Sequence, residues 1–120
     1  MTADKKNVIT VLRALELLSK ELGTDVPLTY PRALLHVWHA GDAGLDQGEL
    51  AKMLDVSPPA TVRAVQALGK FSWIKDSDTG NKKPGLDLIH SEQNSNNFRL
   101  RTLTLTAAGK RLIEMVGGAR

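Results

Sequence analysis

The residues best equipped for chemistry in this chain are basic. Arg63 lies in Ser57-Pro-Pro-Ala-Thr-Val-Arg-Ala-Val-Gln-Ala-Leu68, Arg99 and Arg101 lie in Phe98-Arg-Leu-Arg-Thr-Leu-Thr-Leu105, and Lys82 and Lys83 close a loop-forming run. A guanidinium is a planar fork of donors that can hold two acceptors at once, on a guanine edge or on a phosphate. Charge is unevenly placed along the chain. From Gly41 to Val56 one base (Lys52) faces four acids (Asp42, Asp46, Glu49, Asp55), while from Ser57 to Lys75 there are three bases (Arg63, Lys70, Lys75) and no acid. From Lys82 to Arg111 six bases (Lys82, Lys83, Arg99, Arg101, Lys110, Arg111) outweigh Asp87 and Glu92. Clustered basic residues are what a polyphosphate backbone requires, although a solvated basic face has the same composition.

Other chemistries find little support. The chain has no phosphate-cradling glycine loop, no nucleophile elbow and no pair of acids spaced for acid–base work, so an enzyme is not expected. It contains no cysteine, which excludes disulfides and thiolate metal sites. His36 and His39, at i and i+3 of a predicted helix, can reach one metal ion, but no acid nearby completes a site, and neither metal nor cofactor is expected. Trp38 and Tyr30 read as core or interface residues.

Caps and apolar spacing define the elements that must position the basic residues. Val8, Val11, Leu12, Leu15, Leu18 and Leu22 form a helical stripe over Lys5 to Leu22, ended by Gly23. Pro31 suits the first turn of a second helix, which carries Leu34, Leu35 and Trp38 as far as Gly41. Asp46 can cap a short helix, Gln47 to Leu54, and Ser57 can cap another that opens with Pro58 and runs to about Leu68. The tight Asp55-Val56-Ser57 corner between them, with small Ala51 allowing close approach, predicts a helix-turn-helix. Residues 69–85 read as an inserted loop, anchored by Phe71, Trp73 and Ile74. Leu86–Ile89 and Phe98–Leu105 read as strands of a hairpin turning over Glu92–Asn97, and Thr106 can cap a last helix stopped by Gly117-Gly118.

The chain has 120 residues, a net charge of +3, 42% hydrophobic and 24% charged residues, which suits one ordinary folded core. The Met-Thr-Ala-Asp-Lys-Lys start leads into an amphipathic pattern, and no apolar run approaches a membrane span. Neither secretion nor membrane insertion is therefore expected.

Leu50-Ala51, Leu54, Val56-Ser57, Arg63 and Leu68, followed by Leu88-Ile89, Asn97-Phe98-Arg99, Leu105-Thr106 and Gly109, resemble the MarR-like winged-helix family of bacterial and phage DNA-binding proteins over roughly Leu28 to Val116. The resemblance implies a mainly α fold with a small β-hairpin wing (α+β), namely a winged helix-turn-helix over residues 27–120, while the apolar stripe within residues 1–26 marks an N-terminal dimerisation helix. It also implies a cytoplasmic location, in a bacterial cell or a phage-infected host. In that family's register the methyl of Thr61 joins Val65 and Leu68 in facing the core. Pro59, Ala60, Val62, Arg63 and Gln66 then stand nearer the major groove, while Ser57 and the amides of the helix start would hold a phosphate. Asn97, Arg99 and Arg101 would form the wing contact, with Arg99 serving equally well as a clamp between wing and body, and Lys82 and Lys83 would touch phosphate.

Three departures accompany the resemblance. Asn97 replaces the Asp usual two residues before the wing Arg, Gly69–Pro84 is an insertion whose end, Lys83-Pro-Gly-Leu-Asp-Leu-Ile89, has a phage-type look, and the final helix is shorter than in many members. The expected function is a sequence-specific double-stranded DNA-binding transcriptional regulator. Its expected form is a homodimeric repressor, joined through Val8, Val11, Leu12, Leu15, Leu18, Leu22, Leu112, Ile113 and Val116. The alternative is a phage-type winged-helix module that binds a host or replication protein.

Overall fold

The computed structural model of the chain describes residues 2–75, 82–94 and 100–118, with residues 71–75 and 82–84 described by their backbone alone. Helix α1, Lys5–Leu22, is capped by Asp4, whose side chain accepts from the Lys6 amide at 2.9 Å, and ends at Gly23 with φ 121°. Helix α2, Thr29–Ala40, begins two residues before Pro31, which sits in the first turn where its missing N–H costs no hydrogen bond. A single 3-10 turn, Gly41–Ala43, leads to the two-residue strand β1, Leu45–Asp46. Helices α3, Gln47–Leu54, and α4, Pro58–Leu68, have the expected bounds. The last helix, α5, Ala107–Gly117, starts at Thr106, which accepts from the Gly109 amide at 3.0 Å. No described helix is long and apolar enough to cross a membrane.

The segment read as an inserted loop is a β-ribbon. Strand β2, Phe71–Lys75, pairs antiparallel with β3, Lys82–Pro84, with Phe71 opposite Pro84 and Lys75 opposite Lys82. The aromatic and branched residues of Phe71-Ser-Trp-Ile74 have the strand preference that accounts for this, although turn-forming neighbours mask it in the sequence. The wing is also displaced from expectation. Its strands are β4, Ile89–Gln93, and β5, Arg101–Leu105, so Glu92 and Gln93 belong to a strand and not to the turn, while residues 86–88 lie before it. Leu86, Asp87 and Leu88 donate their amides to Ala67, Gly69 and Leu68 at the end of α4, and Asp87 has φ 54°, which breaks the extended run. The three-stranded sheet has the order β1-β5-β4, with Leu45 opposite Leu103 and Ser91 opposite Leu103 on its other edge.

These elements enclose one core. Leu34, Leu50, Leu68 and Leu103 have no exposed surface, and Leu54 and Ile89 are nearly as enclosed, so α2, α3, α4 and the sheet share a single apolar centre. Burial of one such side chain contributes about 1.5–3 kcal/mol. Leu18 and Leu22 from α1 and Leu112 and Ile113 from α5 complete that centre.

Candidate nucleic-acid interface

The corner between α3 and α4 is set by local backbone chemistry. Asp55 ends α3 in the left-handed conformation, φ 55° and ψ 45°, which Asp tolerates better than most residues with a Cβ. Its amide and that of Val56 donate to the Lys52 and Ala51 carbonyls at 3.2 and 3.4 Å. Arg32 of α2 donates from Nη1 to the Leu54 carbonyl at 3.3 Å, so a guanidinium satisfies one of the unpaired carbonyls at the end of α3. Sequence reasoning missed Arg32; a basic residue on the neighbouring helix carries no signal of which helix end it caps.

Helix α4 is fixed in rotation by what it buries. Thr61, Ala64, Val65 and Leu68 face inward, with Thr61 only 1% exposed and its hydroxyl donating to the Ser57 carbonyl at 3.2 Å. Pro59, Val62 and Arg63 are therefore exposed and Gln66 half-buried, and their i, i+3, i+4, i+7 spacing makes one outward face; Ala60 is half-buried at its border.

One expectation about the start of this helix fails. The Ser57 Oγ accepts from the Ala60 amide at 3.2 Å and the Thr61 amide donates to the Ser57 carbonyl, while Pro58 and Pro59 have no N–H at all. No amide of residues 58–61 remains to cradle a phosphate, and Ser57 contributes its hydroxyl hydrogen alone. The proline pair made this legible in the sequence.

The wing comes to the outward face of α4 through Arg101. Val62, Gln66 and Lys70 line an open cleft with His90, Ser91 and Arg101, and a second cleft on the other side of Val62 joins Gln47, Lys52 and Asp55 to Leu100 and Arg101. Arg101 spans the hairpin, donating from Nε to the Ser91 Oγ at 2.7 Å and from Nη2 to the Ser91 carbonyl at 3.1 Å. These bonds hold an exposed guanidinium beside the helix. Gln47, Lys70, His90 and Ser91 were not singled out in the sequence, because only the three-dimensional closure of the wing brings them to α4. Asn97 and Arg99 lie outside the described residues, and Lys82 and Lys83 stand on β3 beyond the end of α4.

Elsewhere, Asp42 pairs with Lys110 of α5 at 3.1 Å, so one acid of the acidic stretch is drawn to the last helix. Trp38 and His39 stack on the exposed side of α2, and among the described residues no three His, Cys, Asp or Glu side chains converge as a metal site. The nine residues expected at a dimer seam divide in two. Leu18, Leu22, Leu112 and Ile113 are buried in the chain's own core and Val116 packs against it, whereas Val8, Val11, Leu12 and Leu15 remain 46–58% exposed.

An α-helical corner, an outward helix face and a sheet-borne wing in this order have clear counterparts among solved structures. The structure of Staphylococcus aureus MepR in complex with DNA superposes with a TM-score of 0.68 at 18% identity, covering 95% of this chain and 77% of that one. MarR superposes with a TM-score of 0.60 at 22% identity, over 98% of this chain and 75% of that one. A MarR protein from Peptoclostridium difficile gives 0.61 at 17% identity, over 92% and 59%. The fold is that of the MarR-type winged helix. No protein-family model matches the sequence, and no curated protein is significantly similar to it. In the MarR-type frame α3 and α4 are the helix-turn-helix, with one face of α4 turned outward, and β4–β5 is the wing; the β2–β3 ribbon lies between α4 and the wing in the chain.

Proposed function

We propose that this chain is a sequence-specific double-stranded DNA-binding transcriptional regulator, acting as a homodimeric repressor. The observation that carries the reading is the cleft where the outward face of α4 meets Arg101 of the wing. An α-helix fits the major groove, where each base pair displays its own pattern of donors and acceptors. Arg63 is the base reader, suited to guanine O6 and N7, and Val62 suits a thymine methyl. Arg101 binds backbone or minor groove beside it, and Ser57 donates to a phosphate. The similar fold of MepR, crystallised with DNA and described as a transcription regulator of a multidrug efflux pump, supports the same reading.

Homodimerisation is supported by the exposed Val8, Val11, Leu12 and Leu15 on one side of α1, since so wide an apolar strip in water is unfavourable. A two-fold pair would set two α4 helices about 34 Å apart, one turn of DNA.

The test is selection of bound duplexes from a random pool, followed by binding of Arg63→Ala to the selected site. The variant should lose about 1–3 kcal/mol on that site and blur preference at one or two base pairs. An equal loss on selected and random duplex would remove Arg63 from base reading, and failure of the unaltered protein to enrich any sequence would overturn the function.

A further inference from the structure

We propose that Gln47, the first residue of α3, is a second base reader, which holds the adenine of an A·T pair whose thymine methyl rests on Val62. This inference rests on the DNA-binding reading above and deepens it by naming a specificity-determining residue outside α4. Two features of the backbone bring Gln47 to the interface. With Leu50, Ala51 and Leu54 it forms the stripe of α3 that faces the core, and it stands one turn nearer solvent than Leu50, half-buried. Strand β1 then fixes it against the wing. Leu45 pairs with Leu103 and Asp46 with Thr102, and the same antiparallel register carried one residue further sets Gln47 beside Arg101.

Gln47, Val62 and Arg101 each line both clefts between α4 and the wing, so together they form the ridge that divides them. The helix does not need the Gln47 side chain, because Asp46 already caps α3 by accepting from the Glu49 amide at 3.2 Å. Among the described residues no group hydrogen-bonds the Gln47 carboxamide, which leaves its N–H donors and its carbonyl acceptor open. Adenine is the base whose major-groove edge matches this pair: N7 accepts and N6 donates, while its thymine partner carries the methyl that suits Val62. A phosphate fits the position less well. Asp46 and Asp55 border one cleft and Asp87 the other, and the Asp46 carboxylate is only one residue from Gln47. Negative charge so close repels a phosphate and acts far less on a neutral base edge, while Arg101 remains the cation that meets the backbone.

The test is selection of bound duplexes from a random pool with the unaltered protein and with Gln47→Glu. A carboxylate in the first turn suits the helix dipole, so this variant keeps the fold, but it only accepts hydrogen bonds and the base it fits is cytosine, through N4. The unaltered protein should enrich A·T at one position where the variant enriches cytosine, with the other positions unchanged. On the selected site Gln47→Ala should lose about 5- to 150-fold in affinity, the contribution of one bidentate pair. Replacing that adenine by 7-deazaadenine, which lacks the N7 acceptor, should weaken the unaltered protein severalfold and leave Gln47→Ala unaffected. If both proteins enrich identical sequences, or if Gln47→Ala loses equally on selected and random duplex, base reading by Gln47 is overturned while the DNA-binding reading stands. If the unaltered protein enriches no sequence, both fall together.

Discussion

Gly109 shows how much one hydrogen atom in place of a methyl can decide. It lies inside α5, where Ala would ordinarily stabilise a helix by about 0.5–1 kcal/mol. A Cβ built there would run into the Leu88 carbonyl, which is backbone and cannot swing aside. Overpacking of that kind costs about 1–3 kcal/mol, so the clash outweighs the propensity. Gly109→Ala should therefore lower the denaturation midpoint in urea with little change in slope, and an unchanged or higher midpoint would show that the approach of α5 to Leu88 is looser than described. The glycine was visible in the sequence, but only as part of a resemblance; its reason is a carbonyl twenty-one residues earlier in the chain. Residues whose partners are close in sequence were easier to read. Asp46, Ser57 and Thr106 all cap the helices they were expected to cap, since a cap is a contact over three residues.

At the level of elements, the hairpin wing carries its own cross-brace. Arg101, opposite Gln93 in register, reaches diagonally back to Ser91, and the two bonds between them stiffen the outer part of β4, His90-Ser-Glu-Gln93, which has no apolar residue beyond the buried Ile89 to hold it. Two variants separate bracing from DNA contact. Ser91→Ala removes the side-chain acceptor and leaves the guanidinium, so it should cost a modest fraction of affinity with the salt slope intact. Arg101→Ala should lower the slope by about one as well, on specific and random duplex alike. If both variants behave identically in salt titrations, Arg101 is a brace only. The same polar sequence explains why the strand was read too early: Leu86-Asp-Leu-Ile89 has the better strand composition, yet the amides of Leu86, Asp87 and Leu88 are taken by the end of α4, a contact that no local pattern encodes. The helix-turn-helix was legible because period, cap and corner agree. The β2–β3 ribbon was not, because Lys, Asp, Gly and Asn around Phe71-Ser-Trp-Ile74 speak for a loop with equal force.

For the whole molecule, α1 is divided along its length. Its end, at Leu18 and Leu22, belongs to the core, while Val8, Val11, Leu12 and Leu15 stand outside it. Leu15→Glu should thus leave the fold intact, yield monomers in sedimentation and sharply reduce binding to a two-fold site. Sedimentation of the unaltered protein as a monomer at micromolar concentration, free and on DNA, would contradict the dimer. The sheet has a further consequence, which concerns the order of synthesis. Strand β1 is only two residues long, and its partner is β5, so Leu45 meets Leu103 across the entire helix-turn-helix and ribbon. Closing a loop of that length costs several kcal/mol of chain entropy, on the order of (3/2)RT ln n plus a constant. A nascent chain on the ribosome therefore presents α3 and α4 to the cell without their clasp until Leu103 has cleared the exit tunnel. Any product interrupted between Leu45 and Leu103 would carry the two helices without the strand that clasps them to the sheet, and would be the more open to proteases for it.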